Sequence, residues 1–202
     1  MMIHRGLNIL CAATVLLTAC AGRPDVTSQS AAPVAGVSEY IDDHSGVTVT
    51  SMIKPLLFIH DRPEKNAKLS DYVTITAAQV NRQGHRDCLL IAYLWSTLDA
   101  RHEPTRTVPD AVVLVADERR IRLDSTGGTL ADFGIVRTVG APEGRTVKVL
   151  VLPTDLDSLG SIAAAHSLEV QANVHDAVVS YKLWDDQRKA LEALVRYLNG
   201  AR

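Results

Sequence analysis

Two short polar runs carry the side chains most able to do chemistry. Asp42-Asp43-His44 and His60-Asp61 each set a carboxylate beside an imidazole, the pair needed for a general base or for part of a metal shell. Asp43, His44, His60 and Asp61 together would make a hydrolytic or metal-binding site if the fold brought them into one pocket. Adjacency alone argues little, because neighbouring side chains on a strand point to opposite faces. No His-x-x-x-His or Cys-x-x-Cys spacing occurs, so a zinc site would have to be assembled from distant residues. Gly-x-Ser-x-Gly is also missing, and Ser45-Gly46, Ser125-Thr126-Gly127-Gly128 and Gly160-Ser161 read as turns or helix interior. Gly127-Gly128 lacks the glycines and the Lys-Ser/Thr of a phosphate loop. Trp95 and Trp184 read as core or sheet-edge packing rather than a ligand shelf. No catalytic residue, metal or cofactor is assigned, and solvated turns are the default reading of the His/Asp runs.

The third chemical signal is Cys20. His4 and Arg5 precede an apolar stretch from Leu7 to Leu17, after which small residues lead to that cysteine. The apolar run is about half the roughly 20 residues a spanning helix needs, which is the length of a signal-peptide core. The junction Leu17-Thr18-Ala19-Cys20 resembles the lipobox of bacterial lipoproteins. That resemblance implies cleavage before Cys20, a diacylglyceryl thioether on its sulfur and an acyl chain on the new amino group. Each buried acyl CH₂ is worth about 0.8 kcal/mol, so two or three chains hold a protein on a bilayer. Residue 21 is Ala rather than the Asp of the inner-membrane retention rule, which points to the outer membrane with the domain facing the periplasm. The alternative is a plain secretory signal cut elsewhere, for example after Ala21. Beyond the signal, residues 40–202 resemble only uncharacterised proteobacterial lipoproteins.

Composition sets the remaining bounds. The 202 residues hold 21 Lys+Arg against 23 Asp+Glu, with 47% hydrophobic and 4% aromatic residues, an ordinary globular balance. There is no basic run of the kind that phosphate neutralisation requires, which argues against nucleic acid. Cleavage would discard Cys11 and lipidate Cys20, leaving Cys88 alone in an apolar stretch as a small buried hydrophobe with no disulfide to form.

The chain therefore divides into a signal peptide at 1–19, a lipidated Cys20 with a flexible tether to residue 39, and one domain over 40–202. Residues 21–38 are small, polar and Pro/Gly-bearing; eighteen of them span roughly 23 Å. In the domain, Val47 to Thr50 alternate as a strand. Pro55 then marks an edge or bulge where the direction changes before Leu56 to Ile59 resume. Val73, Ile75 and Ala77 share one face of a strand over 70–80, with Thr74 and Thr76 on the other. Cys88 to Trp95 is apolar on both faces and is placed at the centre of the sheet. Ala111 to Ala116 and Arg119 to Leu123 form a hairpin about Asp117-Glu118, with Arg120 and Arg122 toward water. A weak strand pattern runs through 129–140, and Val147, Val149 and Val151 define a strand ending at Pro153.

Period changes in the last fifty residues. Thr154 and Asp157 suggest a capping box, after which Leu156, Leu159, Ile162 and Ala163 form a helical face. A hairpin turning at His175-Asp176 follows. Asp185 or Asp186 then caps a final helix with Leu191, Leu194, Val195 and Leu198 at its apolar stripe and Gly200 at its exit. The expected fold is mainly β, an antiparallel sandwich-like domain with one short and one longer helix near the C-terminus. The expected role is a membrane-anchored, non-enzymatic interaction or assembly module that meets another envelope protein, its layout similar to accessory lipoproteins of secretion or envelope assembly. The rival is an anchored hydrolase or metal-binding protein using the His/Asp site.

Overall fold

The computed structural model describes residues 34–63, 68–97, 108–145, 147–174 and 177–200. Cys20 and the remainder of the lipobox, most of the tether, and the His175-Asp176 turn lie outside these residues. Ten strands run β1 Val37–Ile41, β2 Thr48–Met52, β3 Leu56–Pro63, β4 Lys68–Arg82, β5 His85–Ser96, β6 Ala111–Ala116, β7 Arg119–Asp124, β8 Lys148–Thr154, β9 Leu168–Val174 and β10 Ala177–Asp185. Helix α1, Leu156–Ala164, lies between β8 and β9, and α2, Arg188–Gly200, follows β10. The fold is thus mainly antiparallel β with two helices near the C-terminus, as a curled, sandwich-like or half-barrel sheet.

Strand β4 organises the sheet. One edge pairs with β5 along its length, from Asp71↔Ser96 to Arg82↔His85, and β8 adds to the far side of β5. The other edge carries two strands in succession, β2 on residues 78–81 and β3 on residues 68–75. Between Ser51↔Ala78 and Leu56↔Ile75 the first strand advances five positions while β4 advances three. The two surplus positions are taken up at the corner around Ile53, Lys54 and Pro55. Both segments keep the same direction, so the expected switch at Pro55 is a two-residue bulge; an extra residue bends a strand and sharpens its twist. From there the sheet continues through β3, β10, β9, β6 and β7. The start of the next loop returns to β8, with the Thr126 amide donating to the Val151 carbonyl at 3.1 Å.

Alternation divides the core into two. The inner face contributes Leu56, Phe58, Val73, Ile75, Ala77, Leu90, Ala92, Leu94, Leu114, Val170 and Tyr181, packed with the apolar stripes of α1 and α2. Burying Leu191, Leu194 and Leu198 of α2 contributes about 2 kcal/mol each. On the outer face, Val49, Ala78, Val80, Leu89, Ile91, Tyr93 and Val151 form a smaller cluster under Ile135 and Val139. Strand β5 is therefore covered on both faces, and lies one strand from the β8 edge rather than at the middle. Pro153 is tolerated because β8 pairs only with β5.

Several boundaries differ from the sequence reading. Strand β1 takes in residues 37–39, assigned above to the tether, because Val37 reaches the main core. Gly36 has a φ of +92°, a conformation that favours glycine, and an added Cβ there would meet Ala190 and Ala193 of α2 at an ordinary contact distance of 3.5 Å. Residues 129–140 form no strand. They hold one 3-10 turn, Leu130–Phe133, inside an irregular segment. The N-cap of α1 is Asp155, whose carboxylate accepts from the Ser158 amide at 2.6 Å, and not Thr154. At α2 it is Asp186 that accepts from the Arg188 amide. No helix among the described residues is long and apolar enough to cross a membrane.

Candidate functional site

The corner at 53–55 opens a groove on the outer face of the sheet. Its walls are Ile53, Lys54 and Pro55 on one side and Gly140, Ala141 and Pro142 on the other; Thr74 and Trp95 lie between, with Leu57, Asp185 and Gln187 at the β10 end. The space is about 440 Å³, within the range of small-ligand and side-chain pockets. Trp95 and Tyr72 are cross-strand partners and stack at 4.1 Å and 10°. The Trp95 indole donates to Thr74 Oγ1 at 3.0 Å, and the Arg145 guanidinium lies 5.4 Å over its ring. Such contacts fix an aromatic plane that one face of the sheet alone would leave free to rotate.

A second irregularity shapes the far end. Leu183 pairs with Phe58 and Asp185 with Leu57, so Trp184 is the surplus residue of a bulge. It stands 68% exposed, and Ile53 is 54% exposed. Neither tryptophan is in the core: Trp95 is half-buried in the groove and Trp184 projects from the sheet.

The segment between β7 and β8 forms one wall, and it is fastened by specific bonds. The fully buried Tyr93 hydroxyl donates to the Val139 carbonyl at 2.7 Å. Burial pushes that phenol up to about 12. Gly140 follows, with φ of +66° and a position where a Cβ would stand 2.8 Å from Thr76 Cβ. Beneath it, Thr76 Oγ1 is buried with no hydrogen-bond partner.

Asp42 fastens the other end of the segment. Its carboxylate accepts the amides of His44 and Ser45 and, across 94 residues of chain, that of Val136, each at 3.1 Å. The Ser45 hydroxyl donates a hydrogen bond to the Gly134 carbonyl at 2.6 Å. Burial would raise the Asp42 pKa, but these donors outweigh it and hold the carboxyl below its usual range.

The His/Asp candidates do not converge. His44 and Asp43 lie in the β1–β2 turn, next to Thr48, which faces Asn81; His60 faces Asp71, ten residues away on β4, a run of about 33 Å. His60 and Asp61 point to opposite faces. The His60 Nδ1 lies 3.0 Å from the Ser180 carbonyl with its ring against Tyr181, whereas Asp61 accepts from the Ser70 hydroxyl at 2.8 Å. On this register Asp43 and His44 lie far from His60 and Asp61, so the four side chains do not line one pocket. Among the described residues, no three His, Cys, Asp or Glu side chains are placed to share an ion. Cys88 is half-buried at the border of the main core, with the Gln79 amide donating to its sulfur.

Asp117 is a further carboxylate that sequence reading left as a plain turn residue. From φ of +53° it accepts the amides of His166 and Ser167, tying the β6–β7 hairpin to the α1–β9 turn. Those backbone donors hold its carboxyl low, and Ser167 bonds the carboxylate rather than the imidazole, so the trio is a clamp and not a nucleophile with its base.

Comparison with known proteins returns no matching family model, no matching curated protein and no matching solved structure.

Proposed function

We propose that this chain is a lipid-anchored cell-envelope protein whose β domain is a non-enzymatic interaction or assembly module. Cys20 is its acylated residue, and the outer membrane, on the periplasmic side, is its location. The anchor is supported by the order of residues 1–20: basic residues, an apolar run of signal length and Leu17-Thr18-Ala19-Cys20. An anchored domain on a short tether meets partners that are themselves at the membrane.

The observation that carries the contact reading is the groove. It combines a fixed aromatic plane, Trp95 stacked on Tyr72, with apolar walls at Pro55, Ala141 and Pro142. Exposed apolar surface of this kind, rimmed by Lys54, Arg145 and Asp185, has the make-up of a protein contact: an apolar centre with a charged border. Of the candidate reacting groups, His60 lies against the Ser180 carbonyl and Asp61 accepts from the Ser70 hydroxyl.

The test is an in-cell crosslinking pull-down of the acylated protein beside its Cys20→Ala variant. One dominant envelope partner, lost in the variant, is the expected result. The same captured set with and without the anchor would overturn it.

A further inference from the structure

The place where the chain joins the domain lies on the rim of the groove. The Ile53 amide donates to the Gly36 carbonyl at 3.0 Å, and the Val37 amide closes a turn onto the Val34 carbonyl at 3.0 Å. Residues 34–36 are thus bonded to the corner that forms one groove wall. Gly36 also rests on Ala190 and Ala193, in the first half of the helix that follows Asp185 and Gln187. Three exposed large apolar residues belong to this neighbourhood: Val34 before the joining turn, Ile53 at the corner and Trp184 at the β10 bulge. Lys54 lies beside Ile53 and is exposed.

We infer that Ile53 and Trp184 seat in the lipid surface around the anchor, so that the groove opens at the level of the bilayer and the domain is held in one orientation. The inference rests on the anchored reading of Cys20. Thirteen residues separate Cys20 from Val34, and a tether of that length and composition has a span of about 20 Å. The corner bonded to Gly36 is therefore delivered to the membrane more often than any surface on the opposite side of the domain. The chemistry of the exposed residues fits that position. An indole suits the boundary between headgroups and acyl chains, an isoleucine gains by leaving water, and a neighbouring ammonium reaches lipid phosphate. Asp185 and Asp186 follow Trp184 in the chain; they favour shallow seating over deep insertion, because a carboxylate is costly below the headgroups.

The chain has two tryptophans, which supply the readout. Acylated full-length protein, reconstituted into phosphatidylethanolamine/phosphatidylglycerol vesicles with a brominated lipid, is first floated on a density gradient and its emission then recorded. The Trp95→Phe variant reports Trp184 alone, and Trp184→Phe reports Trp95 alone. The expected result is flotation of both, with bromolipid quenching and a blue shift of Trp184 emission that are lost in Trp95→Phe/Ile53→Asp, which still floats on its anchor. A protein that floats while Trp184 keeps its full emission overturns the inference and leaves the anchor standing. A protein that fails to float refutes the anchor and, with it, the seating.

Discussion

The Tyr93 hydroxyl donates to the Val139 carbonyl at 2.7 Å, and this bond joins the strand shared by both cores to the segment that walls the groove. Phenol and carbonyl are withdrawn from water together, so removing one leaves the other without a partner. Tyr93→Phe should lower stability by about 1 to 3 kcal/mol, read by denaturant unfolding, and should loosen 139–142 in hydrogen exchange ahead of the β4–β5 ladder. Unchanged exchange there would show that the bond does not hold the wall.

The same phenol makes stability fall at high pH. Its folded pKa is about 12 against an ordinary 10.0, raised chiefly by burial. Between those values the unfolded chain releases a proton that the folded one keeps, so the stabilisation is complete below pH 10 and disappears as pH passes 12. The span is about 2 to 3 kcal/mol. Denaturation midpoints of wild type and Tyr93→Phe should therefore converge between pH 10 and 12, and parallel curves would contradict the assignment.

Thr76 and Gly140 make an opposed pair of predictions. Gly140→Ala sets a side chain at positive φ and 2.8 Å from Thr76 Cβ, which should cost about 1 to 3 kcal/mol. Thr76→Val removes a buried hydroxyl that has no partner and should leave stability unchanged or raise it by about 1 kcal/mol. Calorimetry of the two variants checks both signs.

These residues also mark the limit of what the sequence makes legible. Strong alternation in Val73-Thr74-Ile75-Thr76-Ala77 and the two-faced run from Leu89 to Leu94 foretell β4 and β5, and the leucine stripe foretells α2. Strand β1 escapes because Val37 is its one buried residue; the others are exposed or half-buried, and no periodicity survives. The wall over 130–142 escapes for a different reason. Its order comes from long-range bonds to Asp42, Ser45 and Tyr93, which no local pattern encodes. Pro55 flags the corner, but its consequence, a groove, depends on Gly140-Ala141-Pro142 arriving from the far side. The His/Asp runs do not meet because Asp43 and His44 sit in the β1–β2 turn while strand alternation sends His60 and Asp61 to opposite faces of β3.

Asp42 should make the fold sensitive to acid. Its carboxyl is held below 3.8 in the folded state, so its contribution is present above that value and disappears as pH falls through the lowered one. Asp42→Asn should be less stable than wild type at neutral pH, with the difference narrowing below pH 4 as the wild-type carboxylate takes up its proton. Urea unfolding at a series of pH values tests this, and a difference independent of pH would reject it.

Cys20→Ala should leave the unfolding midpoint of the domain unchanged while moving the protein from the membrane to the soluble fraction, since among the described residues both cores are built from Val37 onward. Membrane fractionation with a wild-type control reads the outcome. A variant that stays with the membrane would refute anchoring through this cysteine.

The contact claim is tested most directly by a photoreactive residue placed in cells at Leu57, inside the groove, and separately at Val178, seven residues before Asp185 on β10 and outside the groove. The account predicts one envelope protein crosslinked from position 57 and not from position 178. Equal crosslinking from both positions, or none from position 57, would contradict it.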